Sequence, residues 1–214
     1  MGRTSDARER LIGAAGDLWH RRSYTDVGVS EICETAGVQK GSFYHFFPSK
    51  QDLALAVIDD RWQELGAGRL QALMTSDLAP LERLRPFIER GLATQFELKS
   101  AMGVTPGCSF GNLAVELSCV DEVLRERLER LFEEWAGLLR IALDDAVAAG
   151  EIPPTDTDRA ARALVAYVEG LSVLVKTADD PAAVADIAPM ALRLVGADPN
   201  THTSPARAAE GSHP

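Results

Sequence analysis

The segment GVQKGSFYHFFPSK, residues 37–50, sets four aromatic rings and a histidine between two lysines. So many rings fit a core element, a ligand cage or a helix that meets another macromolecule. Apolar residues at helical spacing predict one short helix over about residues 29–36 and another over about 40–46, with Gly37 between them. Two short helices joined by a glycine-containing turn are the parts of a helix-turn-helix.

One set of side chains in these two helices has the spacing needed to pack against the first helix of the chain. The set comprises Ile32, Cys33, Ala36, Val38, Phe43, Phe46 and Phe47. Gly37 stands at the turn, where a positive φ is needed and a Cβ would cost about 1 kcal/mol. Most of the rings are therefore packing groups, and Tyr44 is the ring left to face a partner.

The outward positions of the same segment carry polar groups. They are Gln39, Lys40, Ser42, Tyr44 and His45, which offer an amide, a cation, a hydroxyl, a phenol and an imidazole. Such groups suit phosphate oxygens and base edges in the major groove of DNA. A purely structural helical corner is the alternative, but the local charge and the Pro-Ser-Lys that follows favour DNA binding.

The net charge of the chain is −10, which is unusual for a protein that binds a polyanion. That charge is unevenly spread, because residues 1–50 carry +1 and residues 51–214 carry −11. The distribution predicts two functional parts, a head that can approach DNA and an acidic body. We expect weak non-specific binding and a steep dependence of specific binding on salt.

Helical periodicity recurs along nearly the whole chain, whereas a period of two does not. The pattern predicts an all-α fold of about nine helices. Residues 1–50 are expected to form a three-helix DNA-binding domain, and residues 51–196 a helical effector-binding and dimerisation domain. Residues 197–214 lack an apolar stripe and are predicted to be disordered.

Three local features of the helices are predicted. Ser49 should cap the fourth helix, with Asp52 three residues on. Apolar residues from Val123 to Val147 predict a helix of about 27 residues buried along one stripe. Pro189 is expected to kink or restart the last long helix.

Several classes of protein are disfavoured by what the sequence lacks. An apolar run of 18 residues and a secretory leader are both missing, so we expect a cytoplasmic protein. Three cysteines without a C-x-x-C pair argue against disulfides and structural zinc, and neither a metal site nor a cofactor is predicted. Cys119 is interpreted as structural and His20 as a solvated helix end. Because catalytic and nucleotide-binding motifs are missing, a helical enzyme is a remote alternative.

The stretch VSEICETAGVQKGSFYHFFPSKQDL, residues 29–53, resembles the DNA-binding signature of the TetR family of transcriptional regulators. The resemblance extends over about residues 8–58. It implies a set of residues that approach DNA, namely Lys40, Gly41, Ser42, Tyr44 and His45. It also implies that Lys50 holds a backbone phosphate at the start of the fourth helix.

Two positions depart from the usual form of that signature. Gly28 stands where a threonine usually caps the second helix and contacts a phosphate, so that contact is lost unless Ser30 replaces it. Gln39 stands where a serine usually opens the recognition helix. Gln39 is a poorer cap, but its amide can bond N6 and N7 of an adenine. These departures predict an operator sequence that differs from those of close relatives.

The segment DTDRAARALVAYVEGLSVLVKT, residues 156–177, has an apolar surface that extends far around the helix. An over-wide apolar surface usually meets a second subunit. The resemblance also implies that the last two long helices form a four-helix dimer interface. We therefore predict a homodimer through about residues 157–195, with interface candidates Ala163, Tyr167, Gly170, Leu171, Leu174 and Leu192.

The segment TPGCSFGNLAVELS, residues 105–118, holds a Pro-Gly break and then a short helix that begins near Cys108. The partial positive charge at a helix amino terminus favours the thiolate. The segment is similar to one in a subgroup of TetR-like proteins, some of which sense electrophiles or quinones through the cysteine. The alternative is that Cys108 is inert and Gly107 simply packs closely.

The effector itself is an unidentified small molecule, which in this family enters a pocket among the central helices. The candidates for binding or sensing it are Trp62, Phe96, Cys108, Phe110, Asn112, Glu116, Trp135 and Tyr167. The predicted function is a ligand-released repressor that binds a palindromic operator as a dimer. The alternative is a thiol-based stress sensor in which modification of Cys108 releases the DNA.

Overall fold

The computed structural model describes residues 3–64 and 68–197. Within these ranges the chain forms nine α-helices and two 3₁₀ segments and contains no strand, which confirms the prediction of an all-α fold. The α-helices are α1 (Arg3–Arg21), α2 (Val29–Ala36), α3 (Lys40–Phe46), α4 (Lys50–Trp62), α5 (Gly68–Met74), α6 (Pro80–Met102), α7 (Ser109–Leu117), α8 (Glu122–Ala148) and α9 (Thr157–Ala178). The 3₁₀ segments are Pro181–Val184 and Ala188–Val195.

Several helix ends follow from local sequence chemistry. Gly37 ends α2 in the left-handed conformation at φ 62°, as predicted for a residue without a Cβ. Ser49 caps α4 by accepting from the backbone N–H of Asp52 at 3.1 Å, which confirms the predicted cap. Asp121 caps α8 in the same way, and α8 runs for 27 residues as predicted.

A first apolar cluster joins α1–α4 to α7 and to the first half of α8. Its members include Leu11, Ile32, Phe43, Leu53, Leu117, Leu124 and Leu128, each at most 2% exposed. This cluster crosses residue 50, because side chains from both sides of that position pack together. The head, which is α1–α3, therefore rests directly on α7 and α8.

A second cluster fills the space between α5, α6, α8 and α9. Leu84 of α6, Leu139 of α8 and Leu164 of α9 lie in it, each at most 1% exposed. The second 3₁₀ segment closes this cluster with Ala191 and Leu192. Burial of these apolar side chains fixes α9 against α8.

The region after α9 differs from its prediction. The end of α9 at Ala178 agrees with the break predicted at Asp180-Pro181, but the last helix, which was predicted to contain Pro189, is replaced by two 3₁₀ segments. Prolines lack the N–H that continues an α-helix, and Pro181 and Pro189 stand near the start of the two segments. Pro189 thus restarts the chain as predicted, but in 3₁₀ form. Ala197 is packed at 5% exposure, and the disorder predicted for the rest of the tail lies outside the described residues.

Candidate nucleic-acid interface and effector groove

The helix-turn-helix is held together from its inner side. Phe43 is fully buried and Phe47 is 3% exposed. Arg10 of α1 donates from Nη1 to the carbonyl of Ala36 at 2.9 Å, which ties α1 to the end of α2. These contacts fix α3 against α1 and α2 and leave the opposite side of α3 uncovered.

The uncovered side of α3 carries the residues predicted to approach DNA. The exposed residues are Gln39, Lys40, Gly41, Ser42, Tyr44 and His45. Tyr44 keeps 52% of its surface exposed although its ring meets Phe43 edge-on. The helix contains no carboxylate, so its outer face presents donors and a cation without an opposing charge.

The amino-terminal end of α2 lies beside this face. Gly28 is the N-cap of α2 and supplies no side-chain hydrogen bond. Ser30 is exposed, and Lys40 Nζ donates to its Oγ at 3.4 Å. The structure thus brings Ser30 and Lys40 together, as a phosphate contact shared between α2 and α3 requires.

Lys50 is engaged within the protein. It is half-buried, its Nζ donates to the carbonyl of Tyr24, and the same atom lies 4.1 Å from the centroid of the Tyr24 ring. Burial lowers the pKa of Lys50, and the neighbouring Glu116 opposes the shift. The predicted phosphate contact therefore requires the ammonium to turn away from Tyr24 or to bridge both groups.

The aromatic effector candidates do not surround a common cavity. Trp62 and Phe110 are each 4% exposed and their centroids lie 6.2 Å apart. Trp135 lies 6.1 Å from Trp62, with Phe87 and Phe132 on its other sides. Trp62, Phe110 and Trp135 are therefore packed core, whereas Phe132 is half-buried and also lines the groove described below.

Two further aromatic candidates lie elsewhere. Phe96 is on α6 and is 47% exposed. Tyr167 of α9 donates from its hydroxyl to the carbonyl of Ile187 at 2.7 Å, and so anchors the chain between the two 3₁₀ segments. Neither residue reaches the group formed by Cys108, Asn112 and Glu116.

A groove of about 930 Å³ runs between α7, α8 and α9 and reaches the end of α1. Cys108, Asn112 and Glu116 line this α7–α9 groove, so three of the predicted effector residues do come together. Other lining residues were missed from the sequence, among them Arg22, Ser23, Phe132, Arg162, Glu169 and Lys176. Glu169 had an available signal, because it is the single charged residue between Arg162 and Lys176 in an apolar helix.

Cys108 is the N-cap of α7, where its sulfur accepts from the N–H of Gly111 at 3.5 Å. The prediction of a lowered pKa is nevertheless wrong. Burial, together with the adjacent carboxyl of Glu169, raises the pKa of the Cys108 thiol well above its usual range, and the Gly111 N–H opposes this only in part. Burial also raises the pKa of Glu169, which accepts a hydrogen bond from the thiol.

Asn112 connects two parts of the groove. Its Nδ2 donates to the carbonyl of Pro106 at 2.9 Å, and its Oδ1 accepts from Lys176 Nζ at 2.8 Å. The amide therefore fixes the loop that precedes α7 and holds a cation of α9 at the groove. Lys176 is exposed, so it remains accessible to an anionic group.

His20 is buried, which corrects its interpretation as a solvated helix end. It is 7% exposed, and its Nε2 lies 2.8 Å from the carbonyl of Gly107. A carbonyl only accepts, so His20 carries its proton on Nε2. Burial lowers the pKa of His20, and Arg61 and Lys176 act in the same direction, while Gly107 and Asp17 oppose them.

Glu116 also joins the body to the head. Its two carboxylate oxygens accept from the backbone N–H groups of Tyr24 and Thr25 at 2.9 and 2.7 Å. Burial opposes ionisation, but the hydrogen bonds from Thr25 and Tyr24 outweigh it and lower the pKa of Glu116. Glu116 is thus a structural link as well as a lining residue of the groove.

The predicted interface residues divide into three groups. Ala163, Gly170 and Leu174 are exposed on α9, with Leu174 at 51%. Tyr167 and Leu171 are half-buried against the second cluster. Leu192 is 1% exposed inside that cluster, so it is not a surface residue of the protomer. Cys119, interpreted as structural, is exposed.

Residues 3–64 and 68–197 contain neither a metal-binding cluster nor a membrane span. No three His, Cys, Asp or Glu side chains in these ranges are grouped to hold a metal ion. None of the helices formed by these residues has the length and apolar character needed to span a membrane.

Two stretches of the chain match known families. Residues 11–57 match the family model for bacterial regulatory proteins of the tetR family. Residues 80–190 match the model for the tetracyclin repressor-like C-terminal domain. Transcriptional regulator AcuR of Cereibacter sphaeroides is 35% identical over 149 residues, which cover 68% of this chain and 65% of AcuR. Transcriptional repressor NemR of Escherichia coli is 28% identical over 140 residues, 65% of this chain and 68% of NemR.

Solved structures share the same architecture. A regulatory protein TetR from Rhodobacter sphaeroides superposes with a TM-score of 0.75 at 31% identity, over 89% of this chain and 97% of that one. The reduced form of E. coli NemR superposes with a TM-score of 0.77 at 25% identity, over 90% of this chain and all of NemR. The likeness therefore extends over nearly the whole of each chain.

Proposed function

Since the chain belongs to the TetR family of bacterial transcriptional regulators, we propose that it is a repressor that binds a palindromic operator as a homodimer and is released by a small molecule. The outer face of α3 carries this proposal, because it is exposed, free of carboxylates and fixed by buried rings on its inner side. Lys40 and Tyr44 contact phosphates, and Gln39 and Ser42 reach base edges. NemR, a relative, is named as a repressor.

The homodimer is supported by the surface of α9. Ala163, Gly170, Val173 and Leu174 are exposed on this helix, and Val173 and Leu174 are more than half exposed. Exposed apolar and small side chains on a long helix favour contact with an equivalent helix of a second copy. Two heads related by a two-fold axis address half-sites about 34–36 Å apart in successive major grooves.

The experiment that tests the proposal is a binding titration on the DNA upstream of the protein's own gene over a range of salt concentrations. Lys40→Ala is compared with Arg130→Ala, because each removes one exposed cation, the first from α3 and the second from α8. Lys40→Ala is expected to weaken binding and to reduce the salt slope by about 1. Arg130→Ala should bind as the wild type does. Equal effects of the two variants would show that α3 is not the contact surface.

The α7–α9 groove is the proposed effector site. Its volume of about 930 Å³ suits a small molecule, and it combines an apolar ring of Phe132 with the polar groups of Asn112, Glu169 and Lys176. The central rings around Trp135 pack against one another, which disfavours a site among them. Gly170 and Val173 belong both to the lining of this groove and to the proposed dimer interface, so an effector bound in the groove would lie against that interface.

A second candidate trigger is covalent modification of Cys108. The thiol lies in the groove beside Glu169, and the relative NemR has a structure described as a reduced form. In an addition to a quinone, the sulfur forms a bond to a ring carbon and the thiol proton ends on a quinone oxygen. If this is the trigger, p-benzoquinone should release operator from the wild type and from Cys119→Ser, but not from Cys108→Ser. Release from all three proteins would exclude Cys108.

A further inference from the structure

Helix α7 contacts both the groove and the head, and the two contacts lie at different points along it. Cys108 at its start faces α9, whereas Glu116 near its end faces the turn after α1. The segment before it is also held by the head, because His20 of α1 donates to the carbonyl of Gly107. A single short helix therefore separates the proposed effector site from the helix-turn-helix.

The contact between α7 and α9 is close. A Cβ on Gly107 would lie 3.0 Å from the carbonyl oxygen of Ser172, and one on Gly111 would lie 2.1 Å from Oε2 of Glu169. At these distances no further group fits between the two helices unless one of them or the side chain of Glu169 moves. A molecule that enters the groove at Cys108 therefore displaces either Glu169 or α7.

The contact between α7 and the head is made with the Tyr24–Thr25 turn, which also contacts Lys50 and leads into α2. Tyr24, whose N–H is held by Glu116, accepts from Lys50 through its own carbonyl and packs its ring against Trp19 at 5.1 Å. The same turn leads through Val27, which is fully buried, into α2. Glu116 thus fixes the segment that sets both the start of α2 and the orientation of Lys50.

We propose that Glu116 is a positioning residue for operator binding, which couples the α7–α9 groove to the helix-turn-helix by holding the Tyr24–Thr25 turn. The inference rests on the proposed function and adds to it the path by which the groove acts. When an occupant of the groove shifts α7, the carboxylate is withdrawn from the two N–H groups. The turn is then released, and Lys50 and α2 lose the position that matches the operator.

The variants that test this coupling are Glu116→Gln and Glu129→Gln. Both residues line the groove, but Glu129 pairs with Arg125 of its own helix, whereas Glu116 accepts from the turn after α1. Glu116→Gln keeps the shape of the side chain, but it loses the charge, and its NH2 group replaces one of the two oxygens that accept from Tyr24 and Thr25. Glu116→Asp keeps the charge on a shorter stem and serves as a second variant, with helical content checked by circular dichroism.

Two measurements are made on each variant, operator affinity and amide hydrogen exchange. Glu116→Gln is expected to weaken operator binding about tenfold and to accelerate exchange at the amides of Tyr24 and Thr25 by a similar factor. Glu129→Gln should stay within about twofold of the wild type in both. Saturating operator should also slow exchange within α7 of the wild type but not of Glu116→Gln, because coupling is reciprocal.

The possible outcomes separate the two proposals. If the wild type binds operator and Glu116→Gln binds it equally well with unchanged exchange at the turn, the coupling role of Glu116 is excluded and DNA binding stands. If affinity falls but operator still slows exchange in α7 of Glu116→Gln, the residue is structural only. If the wild type binds no DNA, the proposed function fails and the coupling fails with it.

Discussion

The proposed DNA-binding face and the α7–α9 groove are built in different ways. The face comes from one short run, residues 30–50, and most of its side chains are directed by the periodicity of α3. The groove is assembled from the turn after α1 and from α7, α8 and α9, with lining residues that range from Arg22 to Thr177. The first is therefore determined locally, and the second depends on the packing of distant elements.

The polar groups of the two regions also differ in whether they already have partners within the protein. On α3 they are exposed and directed at solvent, so they are free to meet a partner. In the groove, Cys108 is paired with Glu169, Asn112 with Lys176, and Glu116 with the turn after α1. Substitutions on the face should therefore separate binding from folding, whereas substitutions in the groove should alter both.

The largest expected effect compares two adjacent residues of α3, one that should affect folding and one that should affect mainly DNA binding. Phe43→Ala removes a fully buried ring from the head core and should lower the free energy of unfolding by about 3–5 kcal/mol. Tyr44→Ala loses one edge-on contact with Phe43, so it should lower that free energy by only about 1 kcal/mol while it weakens operator binding by about 30-fold. Urea unfolding and a binding titration measure the two quantities. A large loss of stability in Tyr44→Ala would mean that the ring is structural.

The next effect concerns the outer surface of α9. Leu174→Glu places a charge where the proposed interface excludes water and should raise the dimer dissociation constant about 100-fold. Leu171, which is half-buried in the protomer, is a poorer choice because its replacement would also disturb the core. Leu78→Glu is the matched control, since Leu78 is 48% exposed against 51% for Leu174. If sedimentation finds both variants dimeric, the interface lies elsewhere.

The sequence was sufficient wherever the cause is local. The turn at Gly37, the cap at Ser49, the 27 residues of α8 and the inward position of Phe43 all follow from spacing and from the chemistry of single residues. The signature around α3 led to the TetR family, and the family matches confirm it. Each of these conclusions needs only a few consecutive turns of the chain.

The errors arose where a distant element decides. The sequence predicts that His20 is a solvated helix end, but its ring bonds the carbonyl of Gly107, which is 87 positions away in the chain. The helix terminus at Cys108 favours a thiolate, yet burial and Glu169 of α9 outweigh it. Leu192 was predicted to lie at the dimer interface. It stands in a 3₁₀ segment that directs its side chain into the core of its own protomer. Periodicity shows which face of a helix is apolar, but it does not show which other element packs against that face.

A third prediction compares thiols of different surroundings. Cys119 is exposed, whereas burial and Glu169 raise the pKa of Cys108. Because the thiolate is the reactive form, N-ethylmaleimide at neutral pH should label Cys119 at least about tenfold faster than Cys108, as followed by peptide mass spectrometry. Glu169→Gln removes the adjacent carboxylate and should narrow that difference. Faster labelling of Cys108 than of Cys119 would instead support the prediction that the helix terminus stabilises the Cys108 thiolate.

The smallest effect concerns His20, the buried imidazole that joins head and body. Its pKa is lowered in the folded protein relative to 6.5, so between the two values the unfolded chain binds more protons. The contribution of His20 to the free energy of unfolding is therefore complete above pH 6.5 and is lost as the pH falls toward the lowered pKa of the folded protein. Urea unfolding between pH 7.5 and 5 should show this decline in the wild type.

Two histidine variants, one at the contact between head and body and one on the outer face of α3, serve as matched tests of this pH dependence. His20→Gln keeps an amide N–H directed at Gly107 but does not titrate, so it should flatten the decline. His45→Gln removes an imidazole from the exposed face of α3 and should keep the slope of the wild type. Because Arg61 and Lys176 also face His20, its protonation adds a third cation between α1, α4 and α9. A decline that persists in His20→Gln would have to come from other groups, and the head–body contact would then be insensitive to acid.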